Sequence, residues 1–110
     1  MIEEIIQNYL RENAFPCYLS VPEKPSGNFC VLEKTGSSYK DGIFTATLAV
    51  QSYGSSDYAA AQLSHRVVQA MLDADTLPEL VSCTLNTDYN FPDTTRKLTR
   101  YQAVFEVVHY

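Results

Sequence analysis

Between Gly42 and Tyr53 the chain reads GIFTATLAVQSY, with Phe44, Ala46, Leu48 and Val50 on one parity and Thr45, Thr47, Ala49 and Gln51 on the other. A period of two is the mark of a strand with one face in a core and the other outside it. Gly54, Ser55 and Ser56 break the run, and the apolar spacing then changes to Ala60, Leu63, Val67, Ala70 and Met71, which is helical. Ser56 or Asp57 is a suitable N-cap for this helix, which extends to Leu72 or Asp73. A long strand, a tight turn and an amphipathic helix in succession call for a sheet with a helix packed on it.

The flanking segments extend that plan. Ile2, Ile5, Ile6, Tyr9 and Leu10 recur on one helical face, Glu3 and Glu4 suit the first turn, and Pro16 ends the helix near Asn13. A short strand is expected at Cys17–Val21 and a second at Phe29–Lys34, with PEKPSGN as the turn between them. TGSSYKDG reads as a polar hairpin connection into the long strand. After Pro78, Val81, Cys83, Leu85 and Tyr89 are in phase in one strand, and Tyr101, Ala103, Phe105 and Val107 in another. NFPDTTRK joins these two, with turn chemistry at Pro92–Asp93. The expected order is α-β-β-β-α-β-β in a single small α+β domain spanning residues 1–110, its sheet mostly antiparallel or mixed, with the helices on one face.

A chain of 110 residues suits one domain that needs no crosslink or metal to hold its core. Its net charge of −5 argues against a nucleic-acid binder that works by neutralising phosphates. No run reaches the roughly 20 apolar residues of a bilayer span, and MIEEIIQNYL lacks the basic flank of a signal peptide. Cys17, Cys30 and Cys83 are odd in number and far apart, which favours reduced, buried thiols.

Catalytic groupings are not visible. The cysteines lie 13 and 53 residues apart, while His65 and His109 fall in different elements, so no metal-ligand spacing is present. No GxGxxG or GxxxxGK[ST] run offers a phosphate cradle, and Gly27, Gly36, Gly42 and Gly54 each read as turn residues. Glu3–Glu4 and Asp73–Asp75 lie near helix ends and read as solvated surface. His65 falls beside the apolar stripe of its helix. No metal, cofactor or catalytic residue is therefore assigned.

Two features point to surfaces. The chain has eight tyrosines and no tryptophan, with Tyr39, Tyr53, Tyr58, Tyr89, Tyr101 and Tyr110 near strand edges and turns. Tyrosine serves both protein interfaces and cross-strand packing, and the sequence leaves both open. Arg96, Lys97 and Arg100 make a basic spot on an acidic chain, either a solvated hairpin base or a contact for an acidic neighbour. On the second reading, reversing all three charges weakens association and leaves the monomer folded.

The opening MIEEIIQNYLRENAFPCYLSVPEKPSGNFCVLEKTGSS, followed by TATLAVQSYGSSDYAAAQLSHRVVQAM, resembles the tail terminator (tail-completion, minor tail) proteins of long-tailed bacteriophages and prophages. The resemblance is one of pattern and length over nearly the whole chain and contains no catalytic fingerprint. It implies a non-enzymatic virion assembly protein, a compact α+β subunit that forms a ring, usually hexameric, on the head-proximal end of the tail tube. The implied partners are further copies of itself, the tail-tube protein and a head-completion or connector protein. The implied locations are the bacterial cytoplasm during assembly and then the virion tail. Tyr39, Lys40, Arg96, Lys97 and Arg100 are the candidate interface residues, chosen by loop position and charge. The alternatives are another neck or head–tail joining protein, a small acidic protein-binding module, and a ligand-binding or enzymatic α+β domain. The last would need polar residues converging on the buried face, where the phase instead reads Phe44, Ala46, Leu48, Val50, Val81, Cys83, Leu85, Ala103, Phe105 and Val107.

Overall fold

Helix α1 (Ile2–Glu12) forms where Ile2, Ile6 and Leu10 recur on one face, and all three are buried. Its acidic first turn and Arg11 in the last turn match the helix dipole. The helix ends at Asn13, whose side-chain amide donates to the Tyr9 carbonyl at 2.8 Å, and Ala14 turns the chain away at φ 68°. This computed structural model describes residues 1–25 and 27–110. Beyond α1 they form β1 (Cys17–Tyr18), β2 (Phe29–Lys40), β3 (Ile43–Gly54), α2 (Asp57–Leu72), β4 (Leu80–Asn90) and β5 (Thr99–His109), with a 3-10 turn at Ala74–Thr76. Ser56 caps α2, its hydroxyl accepting from the Ala59 amide at 3.1 Å.

The strands make one five-stranded mixed sheet in the order β1-β2-β3-β5-β4. β1 runs parallel to β2, and every other neighbouring pair is antiparallel. The register puts Leu32 opposite Val50 and Val50 opposite Ala103, and likewise Leu48 opposite Phe105. Ile6 and Leu10 of α1 and Leu63, Val67 and Met71 of α2 share one core with this row. The Tyr9 hydroxyl ties the helices together by donating to the Ala70 carbonyl at 2.6 Å. Both helices thus cover one face of the sheet, an α+β domain with the expected element order. Cys17, Cys30 and Cys83 are free thiols buried in this core, and burial pushes them up to about 11, 12 and 11 respectively. The reactive thiolate is therefore suppressed at neutral pH.

Four local expectations are corrected. The first strand stops at Tyr18 rather than Val21, because the chain changes faces there: Cys17 belongs to the main core and Val21 packs with Phe29, Val31 and Tyr53 on the other side. β2 runs on to Lys40, so TGSSYK is strand and not connection. Only Asp41 and Gly42 make the turn, with φ of 54° and 83°, the two left-handed residues of a tight hairpin. Gly36 correspondingly lies in a strand, beside a bulge between Lys34 and Gly36, and not in a turn. Finally, Phe44, Val81 and Leu85 are exposed instead of buried. Phe44 faces a hollow beside the start of α1 near the hairpin end, and a bulge at Leu80/Ser82 turns Val81 out while Leu80 and Cys83 point inward. Leu85 keeps the core phase opposite Phe105 and is exposed because β4 is an edge strand.

Candidate functional site

The connection between β4 and β5 is organised by Asp93, a carboxylate only 4% exposed. Asp93 and Leu98 exchange two backbone hydrogen bonds of 3.0 Å, closing the loop. The carboxylate accepts from the Arg96 amide, the Arg96 guanidinium and the Tyr53 hydroxyl, each at 3.1 Å, while the Arg100 guanidinium stands 3.8 Å away. Arg100 also donates to the Phe91 carbonyl at 2.7 Å and to the Tyr53 hydroxyl at 3.1 Å, with its guanidinium over the Phe91 ring. Tyr53 in turn stacks on Phe29 at 4.5 Å. The loop is thus fastened to β2, β3 and β5 together.

Burial alone would raise the Asp93 carboxyl, but the Arg96 amide and guanidinium, the Tyr53 hydroxyl and Arg100 outweigh it and hold it below the ordinary carboxylate value. Burial, reinforced by Asp93, pushes the Tyr53 phenol up against the opposing effect of Arg100. A depressed carboxylate stabilises the fold above its unfolded value of about 3.9, and that contribution is lost as pH falls through the lower folded value. Asp93→Asn is therefore expected to cost about 1–3 kcal/mol at pH 7 and to flatten the loss of stability below about pH 4. Urea unfolding of both proteins at pH 7 and pH 3 checks this, and parallel pH profiles would contradict it.

The candidate interface residues divide. Arg96 and Arg100 serve the Asp93 network, and Arg100 keeps only 14% of its side chain exposed. Lys97, at φ 55°, is exposed at the loop tip. Reversing all three charges would consequently strike the largely buried Arg100–Asp93 pair, so the triple variant is expected to lose stability in the monomer as well as any association. Tyr39 and Lys40 lie at the opposite end of β3: Lys40 pairs with Ile43, whereas Arg100 pairs with Tyr53. Tyr39 is 62% exposed and begins a row of rings, Tyr39 to Phe44 at 4.7 Å and Phe44 to His109 at 5.3 Å. The sequence reading missed Asp93 and Tyr53. Its one signal was a Pro-Asp turn followed by arginines three and seven positions after the acid.

Two stretches of strand reach the surface, the first tied to the start of α1 by an ion pair of 3.9 Å between Lys34 and Glu3. Every residue from Glu33 to Lys40 of β2 and from Thr84 to Asn90 of β4 is exposed. Both are also sheet edges among the described residues, since β1 pairs only with Cys30 and Val31 and nothing flanks β4. The helix-free face between them carries a polar ladder: Gln51 donates to Gln102 at 2.9 Å, and Gln102 donates to the Tyr89 hydroxyl.

A hollow of about 580 Å³ lies against the outer side of α2, lined by Tyr58, Ala61, Gln62, His65 and Arg66. Another of about 390 Å³ lies between the start of α1 and the hairpin end, beside Lys34, Phe44 and Tyr110. Among the described residues no three His, Cys, Asp or Glu side chains gather as a metal-binding group, and no helix is long and apolar enough to cross a membrane. No protein-family model matches the chain, and neither does any curated protein.

Proposed function

We propose that this chain is a virion assembly protein of a long-tailed bacteriophage or prophage, a terminator whose subunits join as a ring on the head-proximal end of the tail tube. One observation carries the reading beyond the sequence resemblance. The sheet presents two different exposed arms, Glu33–Lys40 and Thr84–Asn90, on opposite edges. Two unlike surfaces on one subunit permit head-to-tail joining, which closes into a ring when the rotation per subunit allows. Such a ring has two different faces, one for the tail-tube protein and one for a head-completion or connector protein. The protein then works without a cofactor, in the host cytoplasm during assembly and afterwards in the virion tail.

Polymerisation of the tail-tube protein in its presence tests this. Electron microscopy is expected to show shorter tubes carrying a ring at one end, and tubes of unchanged length with bare ends would overturn it. Lys97→Glu, at the loop tip, is expected to weaken capping while shifting stability by no more than about 0.5 kcal/mol, as surface changes do. Full capping by this variant would remove Lys97 from the contact.

A further inference from the structure

The free edges do more than permit association, because each is suited to the other. β2 is antiparallel to β3, β3 to β5 and β5 to β4, so β2 and β4 run in opposite directions within one sheet. A second copy set beside the first by rotation about an axis along the strands brings its β2 edge to the first copy's β4 edge, and the two meet antiparallel. The alternation of the sheet then continues across the junction.

The exposed lengths match as well. Glu33–Lys40 and Thr84–Asn90 are eight and seven residues long, long enough for a ladder of backbone hydrogen bonds. Neither run contains proline, and backbone edges left open in this way are templates for pairing. Symmetry separates this arrangement from its rivals. β2 with β2 or β4 with β4 is a two-fold contact, whereas β2 with β4 repeats head-to-tail from copy to copy, as a ring requires.

We infer that the β2 edge at Glu33–Lys40 of one copy pairs antiparallel with the β4 edge at Thr84–Asn90 of the next, joining copies through a continuous sheet. This rests on the ring reading and names the contact that would build it. The two arms lie toward opposite ends of the strands, so neighbours are offset along the strand direction.

Crosslinking tests the pairing in the full chain. Ser38 and Thr87 both lie on the helix-free face, by their register with Thr45 and Val104. The single variants Ser38→Cys and Thr87→Cys are treated with a short thiol-specific crosslinker, separately and mixed, the native thiols being buried. A crosslinked dimer is expected in the mixture and absent from either variant alone. The double variant is expected to give a ladder of species that ends at a closed ring. Dimer from one variant alone would show a two-fold contact and overturn the pairing. Light scattering on the same mixture separates the remaining outcomes. A defined oligomer without the mixed crosslink would overturn this contact and leave the ring reading standing, whereas a monomer without crosslink, in the presence of the tail-tube protein as in its absence, would overturn both.

Discussion

Replacing Phe105 with alanine is expected to lower the free energy of unfolding by about 3–5 kcal/mol, the range for a large aromatic cut from a closed core. Phe105 is fully buried on β5, paired with Leu48 on β3 and Leu85 on β4, in the core that both helices cover. Leu48 is itself fully buried, so little around the vacated space is free to collapse into it. Urea unfolding at pH 7 measures the loss. A change below about 1 kcal/mol would mean that the core is not closed as described, since core truncations of this size cost several times more.

Gly54→Ala is expected to cost roughly 3 kcal/mol, at the upper end of overpacking effects. Gly54 ends β3 just before the Ser56 cap, and α2 passes directly over it. A Cβ built there would lie 2.8 Å from the Ala59 carbonyl carbon and 2.9 Å from the Ala60 Cα. These are backbone atoms of the first turn of α2, which cannot swing aside as a side chain could. The Gly54 carbonyl also accepts from the Thr99 hydroxyl, so a shift of this corner disturbs the start of β5. Thermal unfolding of the variant should show the loss. A wild-type midpoint would mean that α2 can lift away from the sheet without penalty.

The helices were legible because their signals are local. The spacing of Ile2, Ile6 and Leu10 and of Leu63, Val67 and Met71 marks which faces are buried, and Ser56 marks where α2 starts. The central strand was legible for the same reason, since Ala46, Leu48 and Val50 are all buried. Phe44 broke the pattern because burial depends on where the helices end, which alternation within a strand does not encode. Val81 failed through a bulge that is set by pairing with β5, and Leu85, though in phase opposite Phe105, failed because it lies on an edge strand. The hairpin turn was misplaced although its signal was present: Asp41-Gly42 is strong turn chemistry, and the polar TGSSYK before it reads as loop only while its partner strand is unknown.

The candidate site shows the same division. The basic cluster was visible as a run of charge, but its split into two internal arginines and one outward lysine depends on Tyr53, 40 residues before Asp93. Tyrosine proved to serve both roles that the sequence left open. Tyr53 is a buried packing and hydrogen-bonding residue, while Tyr39 and Tyr110 are largely exposed. The two exposed arms were not visible at all, because the free edge of a strand is a property of sheet order.

Native mass by light scattering, at low and high protein concentration and with or without the tail-tube protein, tests the ring reading most directly. A discrete ring-sized species, near six subunits if the family resemblance extends to symmetry, is the expected result. A strict monomer under all of these conditions would contradict it.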